Sequence, residues 1–333
     1  MVSEELPGKA MHGGMGKRYR ELTGKDVIDF SASLNPFPPD VPMDFPPSLL
    51  DYYPDDEYQR LKECIGKVFD REPGEIAVGN GSIELIRAFC LAKFRHGGSA
   101  RISMPTFGEY LLSVQLGGGT LARPGENPGA VFLCNPNNPT GVLTPRDKVG
   151  EILKSCRDQG ATLLLDEAFI ELSDPGQSLV DTRDPGLFLV RSLTKCFSVP
   201  GLRFGYAFGD PSLVSMVERL RAPWSVNAFA EHFALLAFSK YHRLENSRRK
   251  IRSEREYMAQ SLVGMGLVVT PSDANFILAD TGRESGPLCR KLLDHGVLVR
   301  DCSSFGLPSS IRVAVRTRPE NDLLLGALSA CLR

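Results

Sequence analysis

The sequence predicts an α/β protein: a large domain with a mainly parallel central sheet and helices on both faces, followed by a smaller α+β domain. Three observations lead there. Beyond Glu75, short uninterrupted apolar runs alternate with amphipathic stretches, the pattern left when crossover helices bury strands on both faces. The 333 residues exceed the roughly 250 to 300 that one hydrophobic core usually organises. After about Phe229 the pattern changes to a long charged amphipathic stretch followed by short strand-like segments. The expected divisions are an N-terminal arm over 1–55, a large domain over 56–228 and a small domain over 229–333.

The elements follow in chain order. Residues 1–60 are rich in Pro and Gly, with Asn35-Pro36-Phe37-Pro38-Pro39, Pro46-Pro47 and Pro54, and show no clear helical or strand period, so they read as extended. A strand at 76–78 runs through Gly79-Asn80-Gly81-Ser82 into a helix from Ile83. A strand at 130–134 precedes a helix starting near Pro145. In that helix Val149, Ile152, Leu153 and Cys156 fall at i, i+3, i+4 and i+7, and Gly160 ends it. Strands at 161–165 and 187–190 complete the large domain. Beyond the charged stretch at 231–265 come strands at 267–270 and 275–278, a helix at 287–295, strands at 297–300 and 311–315, and a closing helix at 319–332. The basic-looking segment 247–256 interleaves Arg and Lys with Glu, as a solvated helix face does.

Charge and composition narrow the function. A net charge of −1 leaves no electrostatic footprint for nucleic acid or an anionic membrane. The apolar runs fall far short of the ~18 residues of a membrane span, and no stretch near Met1 resembles a signal peptide, so a cytoplasmic protein is expected. Eight scattered cysteines form no C-x-x-C pair, and five histidines form no H-E-x-x-H, so no metal site is expected. Any catalysis needs another electrophile.

In open α/β sheets ligands bind beyond the carboxyl ends of the strands, so polar residues that end apolar runs carry the information. The Gly79-Asn80-Gly81-Ser82 turn offers free N–H groups at a helix start, which suits an anion such as phosphate, and it is neither a Walker loop nor a dinucleotide fingerprint. The strand at 130–134 ends in Asn135-Pro136-Asn137-Asn138-Pro139-Thr140-Gly141, dense in amide donors and acceptors. Asp166-Glu167 follows a buried strand, where a carboxylate needs a cation or strong donors facing it. The strand at 187–190 ends in Arg191-Ser192-Leu193-Thr194-Lys195, with Gly201-Leu202-Arg203 just beyond. An amine nucleophile, an anion cradle and a buried acid at neighbouring strand ends suit a phosphate-bearing aldehyde with a basic ring nitrogen, namely pyridoxal 5′-phosphate.

These motifs, Asn138-Pro139-Thr140-Gly141, Asp166-Glu167-Ala168, Ser192-Leu193-Thr194-Lys195 and Gly201-Leu202-Arg203, resemble in order those of the fold-type-I pyridoxal-phosphate enzymes. The resemblance covers nearly the whole chain. It implies that Lys195 joins the cofactor covalently, Asp166 pairs with the ring nitrogen, Asn138 bonds the ring 3′-oxygen and Phe107 stacks on the ring. It further implies that Gly81, Ser82, Ser192, Thr194 and Arg203 hold the cofactor phosphate, joined by Tyr53 from a second subunit of a homodimer. Within that superfamily the chain is most similar to threonine-phosphate decarboxylases of cobamide synthesis and next to histidinol-phosphate aminotransferases. His12-Gly13-Gly14, Asp29-Phe30-Ser31-Ala32 and Arg312-Val313-Ala314-Val315-Arg316 resemble the decarboxylases, as does Phe169 where the aminotransferases usually carry tyrosine. Ser33 and Met15 stand where the decarboxylase pattern has asparagine. The resemblance implies a small phosphorylated amino-acid substrate held by His12, Gly13, Ser33, Asn138, Arg300 and Arg312. Guanidinium forks suit its carboxylate and phosphate.

Overall fold

In the computed structural model, which describes residues 7–332, the chain carries the expected layered α/β arrangement. The arm contributes α1 (Gly16–Thr23) and β1 (Ile28–Asp29). The large sheet and its helices then run α2 (Gln59–Phe69), β2 (Ile76–Gly79), α3 (Ser82–Phe94), β3 (Ser99–Ile102), α4 (Glu109–Leu116), β4 (Thr120–Leu121), β5 (Ala130–Cys134), α5 (Arg146–Asp158), β6 (Thr162–Asp166), β7 (Leu187–Ser192), α6 (Leu193–Cys196), β8 (Gly205–Gly209) and α7 (Pro211–Leu220). The C-terminal part comprises α8 (Ala228–Ser239), α9 (Leu244–Gly264), β9 (Val268–Val269), β10 (Phe276–Asp280), α10 (Ser285–Asp294), β11 (Val297–Leu298), β12 (Arg300–Asp301), β13 (Ser310–Ala314) and α11 (Arg318–Leu332).

The central sheet has seven strands in the order β2-β8-β7-β6-β5-β3-β4. Only β8 runs antiparallel to its neighbours. The period-2 alternation of side chains splits each strand between two cores. Leu163, Leu165, Leu187, Leu189, Tyr206 and Phe208 pack on the side of α2, α5, α8 and α9. Leu164, Phe188, Val190 and Ala207 pack on the side of α3, α4 and α7. Burial on both faces is why these strands read as unbroken apolar runs. The second sheet is antiparallel, in the order β12-β13-β10-β9, and is backed by α9, α10 and α11.

Three expectations are corrected. The arm is not wholly extended: α1 forms although it buries none of its residues, so it has no apolar stripe for a sequence to display. β1 then pairs in parallel with β11, fastening the arm to the C-terminal part. The expected strand at 297–300 is two strands, because the chain leaves the pairing with β1 at Leu298 and joins β13 at Arg300. The charged stretch at 231–265 is two helices. The helix α8 is nearly all apolar, and the break follows where Tyr241 turns inward to reach the Glu171 carboxylate at 3.0 Å. No helix among the described residues is long and apolar enough to cross a membrane.

Candidate active site

Because β2, β3, β5, β6 and β7 point the same way, their carboxyl ends share one edge of the sheet. A cavity of about 670 Å³ opens there, closed on one side by residues 8–14 of the arm and on the other by β12 and β13. Its wall brings together His12, Gly13, Ser33, Ser82, Phe107, Asn138, Asp166, Lys195, Arg300 and Arg312.

Asp166 ends β6 and is buried. Its Oδ1 accepts the Ala168 N–H at 2.9 Å and its Oδ2 accepts the Tyr110 hydroxyl at 2.7 Å. Burial pushes the carboxyl up to about 6 against the pull of these donors. Lys195 follows β7 in α6, and its ammonium group lies 5.9 Å from the centre of the Phe169 ring. Burial, then repulsion from Arg312 and Arg203, lowers its amine to about 8. A lysine so placed supplies neutral amine near physiological pH.

Of the three asparagines after β5, two have their amides occupied away from the cavity. Asn135 exchanges bonds with Thr144, and Asn137 bonds the Pro105 carbonyl and the Thr106 hydroxyl. Asn138 alone faces the cavity, its Oδ1 accepting from Arg312.

Arg300 and Arg312 are cross-strand partners in β12 and β13. Like charges placed opposite one another destabilise a sheet unless something compensates. Their hydrogen bonds go to neutral oxygens. Arg300 donates to the carbonyls of Asp301 and Met11 and to the Ser304 hydroxyl, and Arg312 to Asn138 and the Ser31 carbonyl. Burial lowers the Arg312 guanidinium to about 10. Among the described residues, Arg312 Nε and the hydroxyl of Ser33 are buried without a partner. Two buried cations with spare donors describe a wall built for an anion.

The remaining expected residues sit behind this wall. Gly81 has φ +82°, and a Cβ there would approach Arg203 Nη2 to 2.5 Å, so the loop and the guanidinium pack directly together. A Cβ on Gly205, which pairs with Ser192, would collide with the backbone nitrogen of Ser82. Ser192 and Thr194 are buried beside this packing, with Thr194 Oγ1 donating to the Phe204 carbonyl at 3.4 Å. Gly81, Ser192, Thr194 and Arg203 thus surround Ser82 at the start of α3 rather than lining the cavity. Tyr53 is exposed and packs on Trp224 with ring centroids 4.6 Å apart, outside the cavity of its own chain.

Sequence reasoning missed three contributors. Glu109 accepts from His12 at 2.8 Å and from Arg87 at 2.9 Å, which fixes the arm over the cavity. Tyr110 holds Asp166. Arg316 also lines the cavity, bonded to the Asp29 carbonyl and to Glu320. Only spacing could have signalled Tyr110: it falls three residues after Phe107, about one helical turn.

Behind the strand ends lies a charged cluster closed to solvent. Arg191 donates to Glu167 at 2.8 and 3.1 Å and to Glu171 at 3.4 Å, while the hydroxyls of Tyr206 and Tyr241 donate to Glu171 at 2.9 and 3.0 Å. This cluster ties the end of β6, which bears Asp166, to the end of β7, which leads into α6 and Lys195.

The donor set fits a phosphorylated pyridine aldehyde. It offers a poised amine, an acid at the end of the adjacent strand, a helix start with glycine clearance and an unpartnered hydroxyl. Together with the sheet order, this is the architecture of the fold-type-I pyridoxal-phosphate enzymes. Residues 120–328 match the aminotransferase class I and II family. A Caldanaerobacter subterraneus protein, named provisionally as a threonine-phosphate decarboxylase, is 37% identical over 84% of this chain and 83% of its own length. A histidinol-phosphate aminotransferase of Granulibacter bethesdensis is 32% identical over 85% of this chain and 82% of its own. The solved histidinol-phosphate aminotransferase of Sinorhizobium meliloti in complex with pyridoxal-5′-phosphate superposes with a TM-score of 0.86 at 22% identity, covering 100% of this chain and 98% of that one. The chain belongs to the aminotransferase class I and II family, and its cofactor is pyridoxal 5′-phosphate.

Proposed function

We propose that the protein decarboxylates a phosphorylated amino acid, with O-phospho-L-threonine as substrate and (R)-1-amino-2-propanol O-phosphate as product, a reaction of cobamide synthesis. The observation that carries this reading is the Arg300–Arg312 pair: two adjacent buried guanidiniums, bonded among the described residues only to neutral oxygens, on the wall facing Lys195. A substrate with both a carboxylate and a phosphate supplies the missing negative charge.

In this reading Lys195 carries the cofactor, Asp166 faces its ring nitrogen, Asn138 its 3′-oxygen and Phe107 its ring. Ser82, on the cavity wall at the start of α3, meets its phosphate, with Gly81, Ser192, Thr194 and Arg203 packed behind it to complete the cradle and Tyr53 reaching in from the second copy of a homodimer. When bound, pyridoxal phosphate supplies an aldehyde that condenses with amines and a ring that accepts the electron pair of a broken bond to the substrate Cα. The chain's own residues do the rest. Arg300 and Arg312 grip the anionic groups, and His12, Gly13 and Ser33 close over them. That grip decides whether the carboxylate or the hydrogen on Cα is the group lost. Lys195, at about 8, delivers a proton to Cα after carbon dioxide leaves.

The similarity to histidinol-phosphate aminotransferases makes amino-group transfer the competing reaction. Incubating the cofactor-loaded protein with O-phospho-L-threonine, O-phospho-L-serine and histidinol phosphate, while following carbon dioxide and keto product, separates the two. Carbon dioxide from a phosphoamino acid supports the proposal. Keto product from histidinol phosphate with 2-oxoglutarate, and no carbon dioxide, replaces it.

A further inference from the structure

Asp166 sits among several groups that pull on its proton. Cys134 of β5 stands opposite it in register, Lys195 faces it from α6, and Glu167 comes next in the chain just past the strand, already paired with Arg191. Arg312 lies across the cavity. Against this background the acid receives one side-chain hydrogen bond among the described residues, from Tyr110 at 2.7 Å.

Tyr110 is fully buried in the first turn of α4, its ring edge-on to Phe107 with centroids 5.5 Å apart and tilted against Phe132 at 5.5 Å. Burial and the neighbouring carboxylate raise the phenol far above its usual range, so it remains protonated and donates. The packed ring leaves its hydroxyl directed at Oδ2.

We propose that Tyr110 is a positioning residue: its hydroxyl holds the Asp166 carboxylate ionised and aimed into the cavity. The proposal rests on the cofactor reading above and adds to it the group that keeps the acid in its working charge state. Glu109, next in the chain, holds His12 of the arm, so one turn of α4 secures both the floor and the cover of the cavity.

The test uses the full-length protein without added cofactor, labelled with 13C at the aspartate carboxyl and the tyrosine Cζ. The Asp166 signal is assigned by its absence in Asp166→Asn. Its midpoint is expected near about 6 in the wild type. In Tyr110→Phe, which keeps the ring and removes the donor, the midpoint is expected to rise by about one pH unit. Tyr206→Phe removes an equally buried hydroxyl that serves Glu171 and is expected to leave the midpoint in place. An unmoved midpoint in Tyr110→Phe, or an equal shift in both variants, overturns the proposal. Should Tyr110→Phe not fold, the wild-type Tyr110 Cζ signal decides: it is expected to move with the Asp166 midpoint, and a flat signal overturns the proposal. Wild-type protein that stays colourless with excess pyridoxal 5′-phosphate overturns the cofactor reading alone, since the titration reports the hydrogen bond without it.

Discussion

Raising the pH should make Lys195 nucleophilic far earlier than an exposed lysine. Burial and the repulsion of Arg312 and Arg203 disfavour its cation, so the neutral amine appears as pH rises through about 8. At pH 7 about 9% of such an amine is neutral, against about 0.03% for an ordinary lysine near 10.5, an advantage of about 300-fold. The assay is the rate of aldehyde capture by the cofactor-free protein. It is followed by yellow absorbance and divided by the rate for a small free amine counted per mole of its neutral form, so that the aldehyde's own titration cancels and that of Lys195 remains. The ratio should climb about tenfold per unit below pH 7 and level off above 8. Arg312→Met removes the second contributor and should move the plateau to higher pH, while Asp166→Asn removes an opposing negative charge and should move it lower. A wild-type rate still climbing past pH 10 would refute the account of Lys195.

Other perturbations probe separate parts of the site. Arg191→Met strands Glu167 and Glu171 in the interior and is expected to cost about 3–5 kcal/mol at neutral pH, read by urea denaturation. Because the stranded carboxylates are then relieved by taking up protons, that cost should shrink on acidification, and a cost independent of pH would count against it. Gly205→Ala forces a Cβ into the Ser82 backbone and is expected to cost about 1–3 kcal/mol and weaken cofactor binding, checked by denaturation and by absorbance titration. Arg300→Ala should raise KM for phosphorylated substrates far more than it weakens cofactor binding; equal losses would remove Arg300 from the substrate wall.

Much of this site was legible because sheet burial separates the two kinds of residue. Strands covered on both faces read as apolar runs, so Asp166, Asn138 and Lys195 stand out as the polar residues that end them. The same logic hid Tyr110 and Arg191. Tyr110 occupies a core position of a short, mostly apolar helix, where an aromatic reads as packing until its hydroxyl is seen to meet Asp166. Arg191 reads as the polar end of a strand, yet it is fully buried because Glu167 and Glu171 neutralise it. The helix α1 left no trace since nothing in it is buried, and β1 is only two residues long, too short for alternation to register. The pairing of Arg300 with Arg312 depends on strand register, which no local pattern of the 297–300 segment specifies.

The central claim is that the amine of Lys195 is the one that captures the cofactor. Borohydride reduction of the yellow protein, followed by proteolysis and mass spectrometry, tests it directly. The account predicts a single pyridoxyl-phosphate adduct on the peptide carrying Lys195, absent in Lys195→Ala; an adduct on another lysine, or an undiminished one in the variant, would contradict it.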